Sequence, residues 1–267
     1  MRRINRRVIL GLGLAGGIGF VASFSAGQQP KTPVPGQLLN ITVTAATPAP
    51  SVSLALGARS GKVTPVRSGY THTGGGNIDV QQPAPDTVVI TMAGVAVAYG
   101  GPTKPAAASQ VFDLVQQFEV SFDAPEVKAA KLTLEGRLIG FLRSHQVGTA
   151  EVCAEATLAG GAEASRSLVM PAHAVSGSEN VSINDKEGPA GIVVGAGKYT
   201  LTQSFKVTAT MPKCVLPCRA PSAEFAPDPA LEPLWISEKE PFKGAKKADL
   251  GFQITIKVSP EASPPRK

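Results

Sequence analysis

Apolar and polar side chains alternate between residues 198 and 211: Tyr199, Leu201, Phe205, Val207, Ala209 and Met211 fall on one side, and Thr200, Thr202, Ser204, Lys206, Thr208 and Thr210 on the other. A period of two is the signature of a strand with one face in a core and the other in water. The pattern returns over 250–259, with Leu250, Phe252, Ile254, Ile256 and Val258 on one side, and over 111–123, with Phe112, Leu114, Phe118, Val120 and Phe122. Residues 131–143 and 149–158 read as an antiparallel hairpin joined near 144–148. Shorter strands are expected at 38–44, 51–56, 77–81, 87–98, 167–170 and 180–183. The one helical bid, 125–134, is too short to compete.

Strands punctuated by 28 glycines and 23 prolines point to an all-β architecture. The expected fold is an antiparallel β-sandwich, Ig-like or jelly-roll, in one domain spanning 38–259. Residues 27–37 form a proline-rich spacer without a core of its own, and the polar tail 260–267 is expected to be disordered. One stretch breaks the rhythm. Residues 212–248 hold seven prolines and no sustained period, and read as a long loop. That loop carries the only tryptophan, in Leu234-Trp235-Ile236, which docks either on its own sandwich or on a partner.

The first 26 residues read as an export signal. Arg2, Arg3, Arg6 and Arg7 precede an apolar run from Val8 to Phe24, followed by small residues. Ser25-Ala26-Gly27 suits a cut after Gly27, whereas a cut after Ala26 places Phe24 at a position that wants a small side chain. The run is short and glycine-rich for a spanning helix, so the membrane is a partner only if the leader stays uncleaved. Lipid attachment is excluded because the first cysteine is Cys153. Asn5-Arg6-Arg7-Val8-Ile9-Leu10 resembles the twin-arginine type of bacterial export signal; a general-secretion leader is the alternative. Gly11-Leu12-Gly13-Leu14-Ala15-Gly16 fits a dinucleotide-binding turn in spacing alone, since that turn needs an acid about 20 residues on and the first acid in the chain is Asp79.

The leader also changes the charge picture. Four of the arginines behind the net charge of +6 lie in it, leaving +2 for the remainder. The rest of the basic charge is scattered apart from Lys243, Lys246 and Lys247, which follow Glu238 and Glu240 and read as a solvated loop, so no nucleic-acid partner is expected.

Three cysteines in a chain bound for an oxidising compartment suggest one disulfide. The short turn between Cys214 and Cys218 favours that pair, with Cys153 joined to either as the runner-up. Soft thiolates also suit copper or zinc, so Cys214 and Cys218 with His72 are the candidate metal ligands. Their spacing resembles the cysteine pair of some thioredoxin-like copper chaperones. His72, in the oxygen- and glycine-rich stretch 69–79, is expected in a hydrogen-bonded turn, while His145 and His173 are expected to be exposed. Glu135, Glu151 and Glu155 are placed on outward faces. No G-x-S-x-G, H-E-x-x-H, P-loop or calcium-loop motif occurs.

The expectation from sequence is therefore an exported bacterial protein, periplasmic, cell-envelope or extracellular, that works without catalytic residues or cofactor. It is a binding or structural component whose partner contacts come from Leu234, Trp235 and Ile236. An exported metal-binding protein or enzyme is the alternative. A polysaccharide-binding module is the third reading, for which only Trp235, Tyr70 and Tyr99 offer aromatic platforms.

Overall fold

The computed structural model describes residues 51–145, 147–160, 164–214, 220–227 and 249–261, within the unit Pro48–Lys267. Among them run β1 (Val52–Ser68), β2 (Tyr70–Ala84), β3 (Thr87–Tyr99), β4 (Ala106–Phe122), β5 (Ala130–Arg143), β6 (Thr149–Gly160), β7 (Ala164–Val169), β8 (His173–Ser176), β9 (Asn180–Val194), β10 (Gly197–Met211), β11 (Ser222–Phe225) and β12 (Gly251–Pro260). Two antiparallel sheets pack face to face as a mainly-β sandwich. In sheet A the order is β1, β4, β10, β6 and β7, with β8 also on β6. In sheet B, β3 has β2 on one side and β11 and β12 on the other; these two also pair with β5, which in turn carries β9.

Three corrections to the sequence reading follow. The segments expected to form a hairpin, now β5 and β6, lie in different sheets, and β6 pairs with β10, β7 and β8 instead. Alternation states which face of a strand is buried, not which strand lies beside it. The helical bid is a turn that gives way to β5 at Ala130. The long loop assigned to 212–248 contains β11, so the excursion from the sheet begins only after Phe225. The leader 1–26, the spacer 27–37 and the expected strand 38–44 lie outside the described residues, as does the expected tail 260–267 from residue 262 on, while Pro260 still belongs to β12.

β11 and β12 form a single strand of the ladder, divided by an insertion. On β3 the pairing steps from Phe225–Gly94 to Phe252–Met92, and on β5 from Glu224–Phe141 to Gly251–Ile139. Each neighbour passes over one residue, which places Phe225 and Gly251 on adjacent rungs. The 25 residues 226–250 thus leave and rejoin the sheet without displacing its register. Gly251 has a φ of 129°, where a side chain would be strained and would meet the Met92 carbonyl.

The core between the sheets closes around Phe205 of β10. Its ring centroid lies 5.2 Å from Phe112, 5.8 Å from Phe225 and 6.0 Å from Phe252, so it touches both sides of the divided strand. Glycines make room for these rings. A methyl group at Gly140 would overlap Phe225, and one at Gly94 would overlap Phe112. Gln110 of β4 crosses the sandwich, where its Oε1 accepts from the Val95 N–H at 3.0 Å. Burying that amide unpaired is costly.

Gly140→Ala is expected to destabilise the protein by about 1–3 kcal/mol through overpacking, measured by urea unfolding. Phe225→Leu, harmful alone, should recover part of that loss when combined with Gly140→Ala, because the smaller side chain vacates the space the methyl group needs. Strict additivity would show that the two residues do not share it.

Candidate functional site

One part of the outer face of sheet B is not a solvated surface. Val95 and Val97 of β3 and Ile139 of β5 point away from the main core, yet are 0%, 0% and 1% exposed. They form a second apolar cluster with Ala226 and Leu250, the two ends of the excursion. Gly75 of β2, with a φ of 64°, approaches so closely that a Cβ there would lie 2.5 Å from that of Ala226. The sequence carries a signal for this patch. Ala93 to Tyr99 and Leu138 to Leu142 are nearly continuous apolar runs, as expected of strands covered on both faces.

Polar groups are built into the same face. Across one row of the ladder stand His72, Val97, Ser222 and Arg143, and across the next Gly74, Val95, Glu224 and Phe141. Ser222, Glu224 and Arg143 are all buried. The Ser222 hydroxyl donates to Glu224 Oε1 at 2.5 Å, and the Arg143 guanidinium carbon sits 5.5 Å from the Phe141 ring centroid. Buried charges persist only with compensating polar contacts.

His72 lies in β2, not in the expected turn: the glycine-rich stretch forms a strand interrupted by a bulge between Gly74 and Asn77. One strand separates His72 from Ser222, or about 10 Å between backbones, and Val97 stands between them. The row therefore does not put the Ser222 hydroxyl in the hands of a histidine base.

A second arrangement tests the cysteine. Cys153 on β6 is a free, exposed thiol, so the alternative disulfide through it is not formed. It shares a groove of about 180 Å³ with His173, and His173 Nε2 lies 2.5 Å from Asp185 Oδ2. This is not a nucleophilic triad. His173 pairs opposite the buried Val152 and turns inward, tying β8 of sheet A to β9 of sheet B, whereas Cys153 occupies the outward position beside it. Though its side chain reaches solvent, partial desolvation by the groove around it pushes the Cys153 thiol above its ordinary range; Lys206 opposes that shift, and Glu155 and Glu151 add to it.

Cys214, just past β10, is half-buried, and its N–H donates to the Gly101 carbonyl at 3.1 Å. Its expected partner Cys218 lies outside the described residues, as do Leu234, Trp235 and Ile236. Among the described residues no three His, Cys, Asp or Glu side chains are grouped to hold a metal ion. His145 is half-buried in the β5–β6 connection and His173 is paired, so neither is the freely exposed residue expected. Glu135, Glu151 and Glu155 do occupy exposed outward positions.

At one end of the sandwich the structure joins two residues the sequence had named separately. Tyr70 and Tyr99 face each other across β2 and β3, with ring centroids 5.1 Å apart and planes tilted by 52°. A groove of about 350 Å³ opens beside them, lined by Gly69, Gly101, Thr103 and Lys104.

No protein-family model matches the chain, and no curated protein matches it.

Alkylation of Cys153 is expected to be slow at neutral pH, with its rate rising to a plateau only above the ordinary thiol range, because the thiolate is the reactive form. Replacing Glu151 and Glu155 with glutamine removes like charge and should speed the reaction, while Lys206→Ala should slow it. The pH dependence of maleimide labelling, with the Cys153→Ala chain as the background, measures both signs.

Proposed function

We propose that this chain is an exported bacterial β-sandwich protein that acts as a non-enzymatic binding or structural component of the envelope or extracellular space. Its contact region is the excursion 226–250. The observation that supports this reading is the continuity of sheet B across that insertion. Twenty-five residues lie in sequence between Phe225 and Gly251, which occupy adjacent rungs. A stretch of this length within a compact domain is more often functional than structural.

Its composition fits a contact role. Leu234, Trp235 and Ile236 form an apolar knot in an otherwise polar, proline-rich stretch, and tryptophan is prominent among residues that dominate binding energy. The basic, apolar leader supports export, which gives such a surface an envelope or extracellular partner. The sheet provides a firm base, since both flanking phenylalanines are anchored on Phe205.

The test removes the excursion and leaves the ladder. A chain in which Phe225 is joined directly to Gly251 is expected to keep an all-β spectrum and cooperative unfolding, at lower stability because Ala226 and Leu250 no longer cover Val95, Val97 and Ile139. Crosslinking in the native compartment should recover partners with the full chain. Those partners should be lost on excision and much reduced by Trp235→Ala. If every recovered contact survives both changes, the contact assignment fails. Elemental analysis of the same native protein decides the metal alternative: stoichiometric copper or zinc with reduced Cys214 and Cys218 would replace the binding reading.

A further inference from the structure

We infer that the groove beside Tyr70 and Tyr99 binds an acidic saccharide, a uronic-acid unit of a polymer, which deepens and rests on the reading of the chain as an exported binding protein. Three observations converge on this end of the sandwich. The first is an exposed aromatic held in place: Tyr70 is 76% exposed, yet its ring is braced against Tyr99 in the neighbouring strand. A tyrosine braced in this way offers an apolar face and a hydroxyl with little rotamer freedom left to lose on binding.

The second is a formed groove. Gly69 turns the chain from β1 into β2 with a φ of 72°, and a Cβ there would lie 2.5 Å from the Pro105 carbonyl oxygen. The turn before Tyr70 and the β3–β4 connection are thus pressed together, and only glycine permits that approach. The cavity of about 350 Å³ between them suits one or two sugar rings rather than a buried cofactor.

The third is charge. Residues 66–71, 99–105 and 212–214 contain Arg67, Lys104 and Lys213 and no acidic residue. Lys104 lines the groove, Lys213 precedes the Cys214 bonded to Gly101, and Arg67 is folded back onto Thr73 through a 2.6 Å hydrogen bond. An apolar ring face with a lysine at its rim selects a ligand with a flat C–H surface and a carboxylate. A neutral sugar would leave the positive field unused, and a cationic ligand would be repelled. Single-stranded nucleic acid shares the stacking and the negative charge, so it is an outcome of the test.

Polygalacturonate is the probe, with dextran as the neutral comparator and oligothymidylate as the nucleic-acid comparator, using calorimetry on the full chain without its leader. The expected result is binding of polygalacturonate alone, weakened as ionic strength rises. Tyr70→Ala should weaken it by about tenfold or more, and Lys104→Glu should abolish it. Tyr70→Phe should bind as the parent does. These positions are exposed, so unchanged thermal unfolding of the variants keeps loss of binding distinct from loss of fold. Failure to bind polygalacturonate, equal binding of dextran, tighter binding of oligothymidylate, or indifference to Tyr70→Ala would each overturn the inference. Fractionation of the native cell is a separate readout: protein found outside the cytoplasm without polygalacturonate binding refutes the saccharide and leaves the exported role standing.

Discussion

The contact of Phe205 with Phe225 and Phe252 is the constraint on which the rest of this sandwich depends. It joins the two sheets at the rungs where an insertion divides a strand of sheet B, so the two parts of that strand are held by the same ring. Without it, β11 would be a four-residue strand tethered to an excursion, too short to hold its place through backbone pairing alone. Gly94 and Gly140, which flank Phe225 in the ladder, have no side chains because Phe112 and Phe225 occupy that space. The outer patch follows as a consequence. Fixing Phe225 inward directs Glu224 and Ser222 outward, onto the face where Val95, Val97 and Ile139 are also buried.

The parts of the fold that were legible in sequence are those with one wet and one dry face. β10, β12 and the part of β4 from Val111 onward keep a period of two because their outward residues reach water, and they appear where alternation placed them. β11 escaped notice for the opposite reason. All four of its residues are buried, so Ser222-Ala223-Glu224-Phe225 shows no contrast between faces, and it lies in a proline-rich setting. The wrongly expected hairpin of β5 and β6 has a related cause. Each alternates, but the partner of a strand is decided by long-range packing, and here the chain crosses between sheets at residues 144–148.

The candidate sites divide in the same way. Tyr70 and Tyr99 could be named individually from their scarcity, yet only the register of β2 on β3 brings them together, and a bulge in β2 makes that register unreadable from spacing. His72 looked like a turn residue because glycines surround it; those glycines instead allow the close approach of Ala226 to β2. The outer patch of sheet B did leave a trace, the apolar runs 93–99 and 138–142. Such a run states that both faces are covered without saying what covers them.

The two regions assigned to binding meet at one residue. Tyr99 packs against the outer cluster of Val95, Val97 and Ile139 and also braces Tyr70 at the groove. Its ring therefore belongs to the face from which the excursion departs and to the wall of the groove beside Tyr70. The rigid element between them is short, a single strand end anchored by the β2–β3 ladder. The asymmetry of the molecule has the same physical root. Sheet A turns threonines, glutamates and lysines outward to water, while part of the outer face of sheet B is a second dry patch, and among the described residues Tyr70, an exposed aromatic braced by a neighbour, stands at that patch's edge.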